Sequence, residues 1–232
     1  MRKIVSILVL ILPLTYTVYS QNFQRQIDSL KNILNVAATD TARAKINDKI
    51  GRTYWAAGRF SEAYEYHFAA LHLYEQSGEK EKATYVLIEI GQDYLNDTKF
   101  DSARVYLLKA LEQSEERNDK LNKVRALNIL VALYENIGNY AEVSKTIYAE
   151  LKACEELGDK LYLSYAKSSL ADYFHTIGNN VEALQYEKES LQLREQDGDL
   201  IAQSQSHVSI GNLYLAMGNL SAAKSSYETG LK

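Results

Sequence analysis

Ile50-Gly51-Arg52-Thr53-Tyr54-Trp55-Ala56-Ala57-Gly58-Arg59-Phe60-Ser61-Glu62-Ala63 is the stretch that decides the fold, because its pattern returns every 40 residues. Its first residue has branched apolar counterparts at Ile90, Leu130, Leu170 and Ile210. Gly51 is followed in register by Gly91, Val131, Ala171 and Gly211, all small or compact. Three residues on, Tyr54, Tyr94, Tyr134, Phe174 and Tyr214 are aromatic throughout. Gly58, Thr98, Gly138, Gly178 and Gly218 come next, then Ala63, Ala103, Val143, Ala183 and Ala223. Leu71, Leu111, Leu151, Leu191 and Leu231 close the repeat. A period of this size marks a solenoid, in which each repeat buries its apolar face only by stacking on the next. Such proteins work chiefly as binding surfaces.

Within one repeat the apolar spacing is helical. Val86, Leu87, Ile90, Tyr94 and Leu95 predict a first helix from Glu79 to about Asn96. Asp97-Thr98-Lys99 is the turn, and Ala103, Leu107, Ala110 and Leu111 predict a second helix from Phe100 to about Arg117. Gly78, Asn118, Gly158 and Gly198 stand where the backbone must stop a helix in a left-handed conformation. Asp119, Asp159 and Asp199 follow as helix caps, with Glu79 the exception. Helices of about 16–18 residues span about 25 Å, and short turns force them antiparallel. The expected class is all-α, an α-solenoid of antiparallel helix pairs in five repeats, at about 40–78, 79–118, 119–158, 159–198 and 199–232. Phe23, Ile27, Leu30 and Leu34 share one face of a further helix within 22–39, expected to cap the open end. The fifth repeat stops inside its second helix at Gly230-Leu231-Lys232. The expectation is that the chain is the front of something longer, or that a partner covers its last helix.

The first twenty residues differ in kind. Arg2 and Lys3 precede an apolar run from Ile4 to Leu14, and Val18-Tyr19-Ser20 offers a cleavage site before Gln21. This is the layout of a secretory signal peptide over 1–20, while an uncleaved anchor is disfavoured because its apolar core is shorter than the ~20 residues a span needs. Loss of Arg2 and Lys3 takes the formal charge from −4 to −6. That balance lacks the basic footprint of a nucleic-acid binder. The 18 tyrosines, many of them in register, are read as packing residues. An exported chain with one cysteine cannot form an internal disulfide. The column Tyr74, Ser114, Cys154, Arg194 looks too mixed for a core position, so Cys154 is expected to be a free, partly exposed thiol.

The order small residue, aromatic, turn and alanine in Ile50-Gly51, Tyr54, Gly58-Arg59-Phe60 and Ala63 resembles the tetratricopeptide repeat. Ile90-Gly91, Tyr94, Phe100 and Ala103 repeat it, as do Ile210-Gly211, Tyr214, Gly218 and Ala223. The resemblance covers about 45–232 and implies a right-handed superhelix. It departs from the usual repeat in its longer period and in Glu75, Glu115, Glu155 and Glu195, which replace a frequent proline. Asn180 replaces the aromatic Phe60, Phe100 and Tyr140, so a looser turn is expected there. Chaperone-binding members clamp a terminal carboxylate with Lys and Asn; Asp48 at the first lysine position argues against that clamp. Family analogy puts first helices on the concave face. It would be lined by Arg52, Trp55, Gln92, Asn96, Arg125, Asn128, Asp172, His175 and Asn212, which suit an extended peptide.

Catalytic signatures are not found. His67 and His72 are five apart, the wrong spacing for a metal pair on one helix face, and His67 is read as a packed histidine in the column of Leu107, Ile147, Glu187 and Tyr227. Asp172 and His175, three apart, are expected to form at most a solvated ion pair. Glu187 sits in that mostly apolar column, and the expectation is that Tyr186 packs while Glu187 turns to solvent or a cation. No enzyme activity, cofactor or metal is expected. The chain is read as an exported protein- or peptide-binding module, periplasmic or membrane-attached, the sensor region of a longer bacterial signalling protein. In such proteins a membrane tether and a histidine kinase or helix-turn-helix output would follow. The alternative is a stand-alone periplasmic scaffold for envelope assembly.

Overall fold

The computed structural model describes residues 22–231; the expected signal peptide at 1–20 and Lys232 lie outside the described residues. Eleven helices follow one another there: α1 (residues 22–36), α2 (Asp40–Ala56), α3 (Phe60–Gln76), α4 (Lys80–Asn96), α5 (Phe100–Glu116), α6 (Lys120–Asn136), α7 (Tyr140–Leu157), α8 (Lys160–Thr176), α9 (Asn180–Asp197), α10 (Leu200–Ala216) and α11 (Leu220–Gly230). From α2 onward the helix starts recur at intervals of 40, so the sequence register is also the structural one. The described residues fall into two compact bodies, divided between Ala110 and Leu111 within α5.

Local chemistry ends each helix as the register expects. Oδ1 of Asp119, Asp159 and Asp199 accepts from the backbone N–H of Asn122, of Leu161 and Tyr162, and of Ala202 respectively. Glu79 makes no such side-chain bond. Gly58 turns from α2 to α3 with φ +71°, and Thr98 holds the equivalent left-handed backbone at φ +59° despite its branched Cβ. The turn before Asn180 is not looser than its counterparts. Gly178 N–H donates to His175 O at 3.0 Å and Asn179 N–H to Phe174 O at 2.8 Å, matching Gly138 to Glu135 and Asn139 to Tyr134. Asn180 Oδ1 meets His175 Nδ1 at 2.7 Å, so a hydrogen bond holds the turn where an aromatic stands in other repeats.

In the N-terminal body, Ile27 and Leu30 of α1 are buried against Ile50, Tyr54 and Ala63 of α2 and α3. Aromatic columns stack across the helix pairs: Tyr54 on Tyr66 at 5.4 Å, and Tyr94 on Tyr106 at 5.6 Å. In the C-terminal body Phe174 stacks on Tyr186 at 5.5 Å. These rings contribute packing rather than a base-stacking platform.

The small-residue column has a direct steric cause. A Cβ on Gly51 would lie 2.4 Å from the His67 ring, one on Gly91 2.6 Å from Leu107 Cγ, and one on Gly211 2.5 Å from the Tyr227 ring. Each glycine thus seats the residue sixteen positions on, in the paired helix. Gly91→Ala gains about 1 kcal/mol of helix propensity but overpacks Leu107 at a cost of about 1–3 kcal/mol. A net loss of up to about 2 kcal/mol is expected in urea unfolding; a stabilised variant would contradict the close approach.

In the C-terminal body Val124, Leu127, Ala153, Cys154 and Ala166 form one core cluster. Cys154 is fully buried, which corrects the expectation of a partly exposed thiol. Burial pushes its pKa up to about 12, with the carboxylates of Glu150, Asp159 and Glu155 adding to the effect, so the reactive thiolate is suppressed. Tyr74, Ser114 and Arg194 of the same column are buried too. Position in the helix packing determines burial there, and each repeat fills the place with a different side chain and different neighbours.

Candidate functional site

Every residue expected in the groove lies on the first helix of a repeat. In the N-terminal body Arg52 is exposed. Its Nη2 donates to Asp48 Oδ2 at 2.5 Å, and its guanidinium stands 5.8 Å from the Tyr85 ring centre. With Asn22, Phe23, Gln26, Thr53 and Ala56 it lines a cleft of 370 Å³. Trp55, one turn on, is 38% exposed, unusual for so large a side chain. Asn96 is exposed and its Nδ2 donates to the carbonyl of half-buried Gln92 on the same helix.

In the C-terminal body Arg125 and Asn128 are half-buried and turned to different partners. Arg125 Nε donates to Tyr162 Oη at 3.2 Å, and Asn128 Nδ2 to Glu150 Oε1 at 2.9 Å. Asp172 and His175 are exposed and share a cleft of 340 Å³ with Glu135, Tyr140, Val143, Tyr173 and Thr176. The Nδ1 of His175 is engaged by Asn180 rather than by Asp172. Asn212 is exposed and its Oδ1 accepts from Tyr227 Oη at 2.7 Å.

Beneath these surfaces lie polar groups whose joint role the single columns did not show. His67 is fully buried, with Nδ1 2.5 Å from Asp93 Oδ2 and Nε2 3.9 Å from Asp48 Oδ1. It is thus an ion-paired residue and not merely a packed one. Burial works against the imidazolium. The hydrogen bond and charge of Asp93, with the charges of Glu89 and Asp48, outweigh it and hold His67 above its ordinary pKa. Burial also lifts the Asp93 carboxyl, opposed by His67, so the two titrate as one unit. The shared proton belongs on the imidazole, because further carboxylates face it.

Glu187 corrects the outward-facing expectation. It is 2% exposed; Ser168 Oγ donates to its Oε2 at 2.9 Å, and its Oε1 lies 3.8 Å from Arg194 Nη1. Tyr186 packs as expected, yet Glu187 goes inward as well. The cation it meets is internal: Arg194 also donates to Ala202 O, Ser206 Oγ and Ser168 Oγ. Burial still holds the Glu187 carboxyl above its ordinary value, with Ser206, Ser168 and Arg194 opposing. Glu150 is 1% exposed. Burial pushes its carboxyl up to about 7 against the hydrogen bond from Asn128, with the Glu135 charge adding to the rise.

The sequence held a signal for two residues that were passed over. Asp93 breaks a column of Thr53, Leu133, Tyr173 and Leu213, and Glu150 one of Ala70, Ala110, Ser190 and Gly230.

Tetratricopeptide-repeat patterns match residues 48–81 and 204–232. No curated protein matches the chain in sequence. Among solved structures, BtubC (BKLC) from P. vanneervenii is similar with a TM-score of 0.73 at 14% identity, over 90% of this chain and 87% of that one. The signal-transduction ATPase with a tetratricopeptide-repeat sensor from Pyrococcus horikoshii is similar at 0.73 and 16% identity, over 91% of this chain but 31% of that one. NprR in complex with its cognate peptide NprX is similar at 0.66 and 17% identity, over 89% of this chain and 60% of that one. At such identities the likeness speaks to the fold, which is all-α and of the α-solenoid class. The two matched stretches are tetratricopeptide repeats, and they stand in one unbroken 40-residue register with the rest of the repeats.

Proposed function

We propose that this chain is an exported protein- or peptide-binding module and the input region of a larger signalling protein of bacterial type. The observation that carries the reading is the polar and aromatic set displayed on first helices: Arg52, Trp55, Gln92 and Asn96 in one body, Asp172, His175 and Asn212 in the other. Rigid helices present such groups at little entropic cost, as capture of an extended peptide needs. The fold shared with peptide-bound NprR and with a tetratricopeptide-repeat sensor supports a receptor role. Arg2, Lys3 and the apolar run after them support export, and the described helices include none long and apolar enough to cross a membrane. The role is binding rather than catalysis.

The test uses the chain with a ligand chosen from an array of random-sequence decapeptides. Because Arg52 already neutralises buried Asp48, the informative substitutions are Trp55→Ala with Asn96→Ala. Calorimetry should show affinity falling at least about tenfold, the size of losing one buried aromatic anchor. Unchanged affinity, with helix content preserved by circular dichroism, dismisses this surface.

A further inference from the structure

Four carboxyl groups are buried among the described residues, and three of them meet a cation. Asp48 is met by Arg52, Asp93 by His67 and Glu187 by Arg194. The fourth, Glu150 of α7, is 1% exposed and belongs to none of the described ion pairs of its body. Its Oε1 accepts from Asn128 of α6 at 2.9 Å, and its Oε2 has no hydrogen-bond partner. A carboxylate so placed would keep one neutral donor and one bare oxygen in place of water, whereas the protonated acid buries no charge. Neighbouring repeats fill the same two places with neutral pairs. In the second repeat they are the buried Ile88 and Ala110, and in the fourth Ser168 and Ser190, with hydroxyls 3.0 Å apart.

The surrounding helices do not supply the missing positive charge. On α6, Glu135 carries charge of the same sign, and Arg125 is engaged by Tyr162 and Asn122. On α8, Lys167 is spent on Glu189 of α9, and Asp172 acts on Glu135. Lys145 and Lys152 of α7 itself are exposed. Cys154 follows Glu150 by one turn and so shares its face of α7. It is fully buried with Val124 and Leu127 of α6 and Ala166 of α8. Burial, with the Glu135 charge adding to it, pushes the Glu150 carboxyl up to about 7 against the hydrogen bond from Asn128.

We propose that Glu150 is a pH-sensitive latch between α6 and α7. With its proton it packs as a neutral side chain against Asn128. Without it the buried charge is relieved only by reaching water, so α7 parts locally from α6 and uncovers Cys154. The sign follows from linkage. A carboxyl held above its ordinary 4.5 binds more proton folded than unfolded, so the packing is unaffected below that value and weakens as pH rises through the folded one. Neutral pH lies inside this window. The latch needs no ligand and stands apart from the peptide reading, although it moves Asn128, one of the residues expected in the groove.

Cys154, the chain's one thiol, is a built-in reporter of the opening. Its labelling rate with an aromatic disulfide reagent in the folded chain, divided by the rate in the urea-unfolded chain at the same pH, gives the local opening constant and cancels the thiol's own titration. The ratio of that constant between the parent and Glu150→Gln should rise about tenfold from pH 6 to pH 8, because the amide keeps the acceptor for Asn128 but cannot ionise. Glu150→Ala, which places here the residue found at Ala70 and Ala110, should give the same rise and serves where the amide variant folds poorly. Carbon-13 NMR of the Glu150 carboxyl in the intact parent should show a midpoint well above the ordinary 4.5. A midpoint in the ordinary range overturns the proposal. So does a raised midpoint with a parent-to-variant ratio that stays flat across pH, since the group would then titrate without opening anything.

Discussion

His67→Leu lowers the unfolding free energy of the chain by about 3–5 kcal/mol near neutral pH, the cost of leaving one partner of a buried pair uncompensated. The orphan is Asp93, 1% exposed and 2.5 Å from the ring that would be removed. Asp48 is not orphaned, since Arg52 remains on it. Adding Asp93→Leu should return most of the loss, because the two places then hold the Leu107 and Leu133 that fill the same columns in other repeats. The pH dependence follows from the direction of the His67 shift. With its folded pKa raised above the ordinary 6.5, His67 binds more proton folded than unfolded. Its contribution is therefore complete below about 6.5 and is lost as pH rises through the folded value. The variant gap should also narrow toward pH 5, where an unpaired Asp93 takes up a proton instead of bearing a buried charge. The facing groups are Asp48 and Arg52 of α2 and Tyr85, Glu89 and Asp93 of α4, and none of them reverses this sign. Urea titrations at pH 5, 7 and 9 decide it. A single-variant loss below about 1 kcal/mol, or no recovery in the double variant, would show that the pair is not acting as a buried ion pair.

Arg194→Met should cost a similar amount, about 3–5 kcal/mol at pH 7, in the C-terminal body. It removes the only cation beside Glu187 among the described ion pairs and leaves Ser168 and Ser206 with one partner fewer. The Glu187 carboxyl is already held above its ordinary 4.5, so its folded state takes up protons more readily than its unfolded state. Stability tied to it falls as pH rises from about 4.5 through the folded value, and more steeply without Arg194. The variant should therefore approach the parent at pH 4.5 and diverge by pH 7. Glu187→Leu added to Arg194→Met should recover the loss, since replacing a whole buried pair by apolar groups is neutral to stabilising. A loss of equal size at both pH values would assign the effect to packing of the arginine stem instead.

These two sites show why side-chain chemistry was less legible than architecture. The glycine at 51, 91 and 211, the aromatics at 54 and 94, and the aspartate caps at 119, 159 and 199 act through neighbours a fixed number of residues away. Their role can be read from spacing alone. His67 meets Asp93, Glu150 meets Asn128 and Glu187 meets Ser168, 19 to 26 residues away on other helices, while the Arg194 beside Glu187 is seven residues on along its own helix. A column of five residues shows that each is out of place but not what receives it. Cys154 shows the converse, a chemically mixed column that is buried at all four of its positions, Tyr74, Ser114, Cys154 and Arg194.

By itself, then, the sequence determined the repeat and its tetratricopeptide pattern, its 40-residue period, the helix pairs and their caps, because these depend on local propensity and on apolar residues in a regular pattern. The tertiary structure alone decided which polar side chains are inside and who neutralises them, that the turn at Asn180 is as tight as the others, and that Glu135, Asp172 and His175 line one cleft. Desolvation and charge pairing act through space over a few ångströms, and only packing determines which helices come that close.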